Sequence, residues 1–176
     1  MKTFRNLTII LALILISVNF ADAQAKYSKK ERKAHYNSSY NYEVEIMGVG
    51  QDGTKVLKIW GYGKRVEDAI IEAKMNAIAS VIFKGVPGGQ GAAATPAILT
   101  DPNAAEKHAD YFENFFSPGG KYLQFLTLTT DGMPSGQDRL SIKGGYKVAI
   151  YAQVMYDALR KQLETDGIAR RLDSGF

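Results

Sequence analysis

The chain has 176 residues, no cysteine, and a formal charge of +4 from 22 Lys and Arg against 18 Asp and Glu. Without thiols there is no disulfide scaffold, no thiolate chemistry and no lipid-bearing cysteine, so a hydrophobic core must carry the fold, and one domain of this length suffices for that. The small positive excess excludes a strongly basic fold surface, because Lys26, Lys29, Lys30, Arg32 and Lys33 crowd into one stretch opposed only by Glu31.

Residues 1–23 have the parts of a secretory signal peptide. Lys2 and Arg5 form a basic start, Leu7 to Phe20 an apolar run, and Ala21-Asp22-Ala23 a small-x-small end. The run is shorter than the roughly 18 residues a spanning helix needs. The expected mature chain therefore starts at Gln24, with an uncleaved anchor as the alternative reading. Residues 24–41 lack apolar periodicity and read as a flexible basic arm, either a plain solvated linker or a contact for an anionic surface or partner.

Order is expected from Tyr42, so residues 42–176 are read as a single domain. Tyr42, Val44 and Ile46 alternate with Glu43, Glu45 and Met47, the period of a strand with one polar face. Gln51-Asp52-Gly53 supplies a turn. Thr54 to Tyr62 returns as a second strand, with Val56, Lys58, Trp60 and Tyr62 on one side, completing a β-hairpin. Gly61-Tyr62-Gly63 reads as a tight turn where the chain leaves the sheet. Gly61 and Gly63 are not a dinucleotide fingerprint, whose third glycine position holds Val66 here.

Val66, Ala69, Ile70, Ala73, Ala77, Ile78 and Val81 recur at three- and four-residue spacing and predict a helix to about Lys84. Glu67 and Asp68 suit its first turn, Gly85 its C-cap. Its alanine-rich stripe predicts close approach to the hairpin. Residues 85–100 hold Gly85, Gly88, Gly89, Gly91 and Ala92 to Ala94 and predict an irregular loop, either a mobile connector or a lid over a site.

Asp101-Pro102 predicts a helix start, and Tyr111, Phe112, Phe115 and Phe116 give that helix an aromatic face before Ser117-Pro118-Gly119-Gly120 ends it. Tyr122 to Thr130 has strand character. Asp131 to Arg139 is turn-like, Leu140 to Ile142 begins a strand before Gly144-Gly145, and Tyr146 to Met155 is the clearest strand of the chain. A last helix spans about Asp157 to Asp166, with Asp157 placed to cap it and Gly167 to end it. Ile168, Leu172 and Phe176 could pin the tail to the body.

This order predicts an α+β two-layer sandwich, a mainly antiparallel sheet with helices packed on one face. It does not match a ferredoxin-like order cleanly.

Motifs for chemistry are sparse. Two histidines, His35 and His108, and no cysteine leave no metal-ligand spacing, so no metal and no cofactor are expected. No serine stands in a nucleophile elbow. Glu43 and Glu45 share one strand face, where solvent exposure accounts for them; Asp131 and Asp138, beside Arg139, are the better-placed carboxylates. Interspersed charges argue against nucleic acid as a partner. Ten tyrosines and eight phenylalanines are more informative. Tyr62, Tyr111, Tyr146 and Tyr151, with Arg139, are the candidate binding residues, because rings that are apolar in body and polar at the tip suit interfaces; ordinary half-buried sheet aromatics are the alternative.

The stretch Ile59 to Gly63, Val66 to Ala69 and Ala73 to Ala77 resembles the strand, glycine turn and alanine-rich helix of the LPP20-like lipoproteins and of the N-terminal domain of flagellar T-type proteins. The resemblance covers residues 42–84. It implies a small exported bacterial α+β domain with an envelope-associated, mostly noncatalytic role, and carries over no ligand-binding residue. The lipoprotein members' lipid-bearing cysteine is absent here. The leader and overall pattern resemble uncharacterised secreted proteins of Bacteroidetes-type bacteria.

The expected function is an exported, periplasmic or secreted, noncatalytic domain that binds a protein or cell-envelope component, with no membrane span after cleavage and an oligomeric state the residues do not set. Two alternatives stay open: a small-ligand binder or hydrolase with its site under the 85–100 loop, and a structural surface subunit. A flat aromatic face favours the first reading; a cavity near the loop with clustered Asp, His or Arg favours the second.

Overall fold

The computed structural model describes residues 43–50, 54–89 and 91–171. The expected signal peptide, basic arm and 51–53 turn, and the expected anchoring by Leu172 and Phe176, fall outside the described residues.

Strands β1 (Val44–Val49) and β2 (Thr54–Gly63) form the expected antiparallel hairpin, closed by the Gly50 amide donating to Thr54 O at 2.9 Å. Helix α1 (Val66–Phe83) follows, then the 85–100 segment, two short helices α2 (Ala104–Lys107) and α3 (Ala109–Phe115), and strand β3 (Leu126–Leu128). Strands β4 (Arg139–Ile142) and β5 (Gly145–Met155) form a second hairpin, and helix α4 (Tyr156–Thr165) ends the fold. The sheet order is β1-β2-β5-β3, with β4 also on β5, and every pairing is antiparallel. The architecture is thus the predicted α+β sandwich. One edge is β1, whose register shifts between Ile46 and Gly48; the other is split between β4 and β3, which pair with successive parts of β5.

Alternation sorts the sheet into two faces. Leu57 and Ile59 of β2, and Val148, Ile150, Ala152 and Val154 of β5, are buried under the helices. Ala69, Ala73 and Ala77 of α1 are fully buried above them. The second half of α1 is buried all round, from Met75 to Ile82, which is why its apolar residues spill beyond one stripe. Asn76 is tolerated there because its amide donates to the Trp60 carbonyl at 3.1 Å.

The Gly61–Gly63 reading needs correction. Both residues lie within β2, and the turn is Lys64-Arg65. A Cβ at Gly61 would come within 2.4 Å of the Ala73 nitrogen, and one at Gly63 within 2.4 Å of the Ala69 nitrogen. The glycines are the floor on which α1 rests. The predicted C-caps do occur: Gly85 and Gly167 have φ of +82° and +72°, and their positive φ is the conformation glycine adopts without steric cost.

The predicted 101–116 helix is broken at His108 into α2 and α3. Asp101 accepts the Asn103 amide at 2.9 Å instead of capping a longer helix. Asp157 lies in the first turn of α4, where its charge suits the free amides, and not at its cap. Lys121–Phe125 is a 3₁₀ turn, so only Leu126–Leu128 of the predicted 122–130 strand pairs. Its three-residue period puts Tyr122 and Phe125 on one side, where Phe125 stacks on Phe115 at 6.2 Å and Tyr122 packs against Phe116 at 5.6 Å. The 85–100 segment carries two bridges, Val86 with Thr95 and Gly89 with Ala92, and Gly89 stands over Ile46.

Candidate functional site

The open face of the sheet carries an ordered row of lysines and aromatic rings. Along β2 it reads Lys58, Trp60, Tyr62; opposite them on β5 stand Tyr151, Ala149 and Lys147. Strand period and antiparallel register dictate this checkerboard. Ala149 is the small residue opposite Trp60 and leaves the indole room. Lys147 Nζ lies 4.7 Å from the Trp60 ring and 5.5 Å from that of Tyr62. Lys58 Nζ lies 5.3 Å from the rings of both Trp60 and Tyr151. Trp60 is therefore approached by two ammonium groups, a favourable use of its electron-rich faces.

Each lysine also has a carboxylate. Lys58 pairs with Asp138 at 2.8 Å and Lys147 with Glu43 at 2.5 Å. The Tyr62 hydroxyl donates to Glu43 at 2.7 Å, and that of Tyr151 approaches Asp138 at 3.5 Å. Lys147, then Tyr62, hold the Glu43 carboxyl below its ordinary range, and Asp138 holds the Lys58 ammonium above its own. Burial, then the hydrogen bond to Glu43, push the Tyr62 phenol up. Two cations and two anions thus neutralise each other around one indole. Such a surface offers ring faces and hydrogen-bonding groups with little net charge.

Apolar side chains extend the face. Leu140 stands opposite Lys147 on β4, so Leu140, Lys147 and Tyr62 form one row across three strands. Leu140, Ile142 and Tyr62 are each about 40% exposed. At the other end a cavity of about 180 Å³ lies between Tyr151, Ala149, Asp138 and the 130–135 loop, which contributes Asp131.

Of the candidate binding residues, Tyr62 and Tyr151 share this face. Arg139 starts β4 beside Asp138, opposite Val148. Tyr146 lies on the helix side against Val66, Ala69 and Val148. Tyr111 packs in the aromatic core of α3 and donates to Asp166 at 2.7 Å, burial and the Asp166 charge both pushing its phenol up. Lys58, Trp60 and Lys147 were not among the candidates, and Glu43 and Asp138 were weighed only as carboxylates for catalysis, not as binding residues. The signal for two of them was present, since Lys58 and Trp60 share the strand side of Tyr62. Among the described residues no group of three His, Asp or Glu could hold a metal ion, and no helix is long and apolar enough to cross a membrane.

Comparison of the chain with protein-family models, with curated proteins and with solved structures found no match.

Proposed function

We propose that the chain is an exported, noncatalytic domain that binds a protein or cell-envelope component through the open face of its sheet. The observation that carries this reading is the position of Trp60. It is the chain's one tryptophan. It lies on the solvent side of the sheet between two lysines, although burying an indole in the core would contribute more to stability. Tryptophan and tyrosine dominate the energetic centres of protein interfaces, and a rim of exposed Leu140 and Ile142 supplies the apolar area such a centre needs. The signal-peptide pattern of residues 1–23 and the resemblance of residues 42–84 to envelope-associated domains support the location.

The test is capture from an envelope extract with residues 24–176, in parallel with Trp60→Ala and Leu140→Ser/Ile142→Ser. A component retained by the parent and reduced at least about tenfold in both variants is expected, as loss of an interface centre implies. Equal retention by all three proteins, or turnover by the parent in a hydrolase screen, overturns the reading.

A further inference from the structure

The cavity of about 180 Å³ at the end of the open face is a recess fixed by backbone bonds. Ala149 and Tyr151 of β5 line one side, and the loop from Thr130 to Ser135 lines the other. That loop is held at both ends. The Thr129 amide donates to Tyr151 O at 2.9 Å, and the Asp138 amide donates to Ser135 O at 3.2 Å. Between these ties the chain turns at Gly132, whose φ of +87° costs a glycine nothing. The recess is below the roughly 300–1,000 Å³ of pockets that enclose a whole ligand, and far above the ~30 Å³ share of a water molecule. A single side chain of another protein is an occupant of that scale.

Its charge is negative. Asp131 and Asp138 line it, and no Lys, Arg or His does. Lys58 reaches Asp138 at 2.8 Å and neutralises that carboxylate. Lys58 and the Tyr151 hydroxyl both address Oδ1 of Asp138, and no donor among the described residues holds its Oδ2. The exposed Asp131 side chain makes neither a hydrogen bond nor an ion pair among the described residues. Arg139 does not compensate it by position, because it is in register with the buried, helix-side Val148 and so stands on the other side of the sheet from Asp138. One negative charge thus faces the same recess as the Tyr151 ring. Exposed Met133 and half-buried Pro134 add apolar surface to the wall.

We infer that this recess receives an arginine side chain of a protein partner. The inference rests on the binding role proposed for the open face and narrows the partner to a protein. A guanidinium is planar and weakly hydrated, so it stacks on a tyrosine ring while its fork donates to carboxylate oxygens. Asp131 and Oδ2 of Asp138 are acceptors of that kind. A lysine ammonium is compact and strongly hydrated, and uses the charge without the ring plane or the fork. A sugar hydroxyl uses the acceptors and leaves the charge unmatched. The arginine stem runs over Met133 and Pro134, as such stems do along apolar surface. Arginine joins tryptophan and tyrosine at the energetic centres of interfaces, and Trp60 and Tyr62 stand on the same face as Tyr151.

The experiment is a titration of isotope-labelled residues 24–176, read by backbone amide NMR shifts. The probes are N-acetyl-arginine methylamide, its lysine and citrulline counterparts, and methyl glucoside. None of them requires a captured partner, so this titration and the envelope capture fail separately. Saturable shifts confined to residues 129–138 and 149–151 are expected with the arginine probe, half-saturating at about 1–10 mM, the scale of one anchored side chain. The lysine probe should bind at least about threefold more weakly, and the neutral citrulline probe and methyl glucoside at least about tenfold. Asp131→Asn and Tyr151→Leu should each weaken the arginine probe about fivefold or more, with Asp131→Glu intermediate. Unshifted amides elsewhere confirm that the variants are folded. The inference is overturned by no saturable shift at those residues, by any other probe binding as tightly as the arginine probe, or by a folded Asp131→Asn or Tyr151→Leu that binds it like the parent.

Discussion

Gly61 of β2 and Ala73 of α1 touch backbone to backbone: a Cβ on Gly61 would stand 2.4 Å from the Ala73 nitrogen and 2.9 Å from its Cα. A methyl group there meets main-chain atoms of α1 at the fully buried Ala73, which cannot rotate away as a side chain could. Gly61→Ala should therefore cost about 2–3 kcal/mol in urea unfolding, despite the modest gain from reducing chain entropy. Ala73→Leu and Ala77→Leu should cost about 1–3 kcal/mol each, and Lys74→Leu within about 0.5 kcal/mol. Midpoints equal to the parent's for Gly61→Ala and Ala73→Leu would mean that the helix does not rest on the strand as closely as described.

The lysine–indole row predicts a measurable coupling. A double-mutant cycle of Lys147→Met and Trp60→Leu should give about 0.5–1 kcal/mol of interaction energy, the range for cation–π pairs at partly exposed sites. High salt should reduce it little, because Lys147 also keeps its short contact with Glu43. A coupling of zero within error would show that the ring and the ammonium are neighbours without attraction.

Glu72 gives the fold a pH signature. Its carboxylate accepts the Tyr62 amide at 3.1 Å, and burial pushes its carboxyl up to about 7, the amide bond opposing the shift. The folded state then binds a proton more tightly than the unfolded chain. Stability is fully present below the unfolded value near 4.5 and is lost as pH rises to about 7. Allowing for the solvent that reaches the group, the loss should be about 1–2 kcal/mol. Glu43 and Asp166 are held low and act in the opposite sense, their contribution disappearing only as pH falls below about 4. Chemical unfolding between pH 4.5 and 8 should show the decline in the parent and a flat profile in Glu72→Gln; an identical slope in both proteins would assign the decline elsewhere.

The cap at Gly167 predicts a local cost. With φ at +72°, Gly167→Ala should destabilise by about 1 kcal/mol, read as a lower urea midpoint with unchanged slope. The same variant should increase amide hydrogen exchange at Ile168 and Ala169, whose N–H groups are tied to Leu163 by that turn. Unaltered exchange at both amides would count against the cap as the device that holds the tail.

Much of this was readable in the residues. Period two located β2 and β5, period 3.6 located α1 and α4, and Gly85 and Gly167 marked helix ends correctly, because each signal is local. Gly61 and Gly63 were misread because a glycine within a strand has the same letter as one in a turn, and only the helix above it gives the reason. Residues 122–125 look like a strand since Tyr and Phe favour strands; ring contacts with Phe115 and Phe116 hold them in a 3₁₀ turn instead. For the open face, Lys58, Trp60 and Tyr62 were legible as one side of a strand. Their partners Glu43, Asp138 and Lys147 are remote in sequence and meet them only through register. Tyr111 and Tyr146 show the limit of residue type, since an aromatic ring suits a core as well as a surface.

The shape of the sheet's two edges bears on how the protein behaves when crowded. A strand that grows onto another molecule's sheet needs a long, straight row of free amides and carbonyls. On one side β4 and β3 offer only four and three residues, interrupted by the 129–138 excursion. On the other, the irregularity at Met47 breaks the six residues of β1 near their middle. Among the described residues neither edge offers a long, straight row for strand addition, even though Met47 and Val49 expose apolar surface there. Concentrated solutions should therefore stay free of amyloid-type assembly, and straightening β1 by deleting Met47 is the change that would remove this protection.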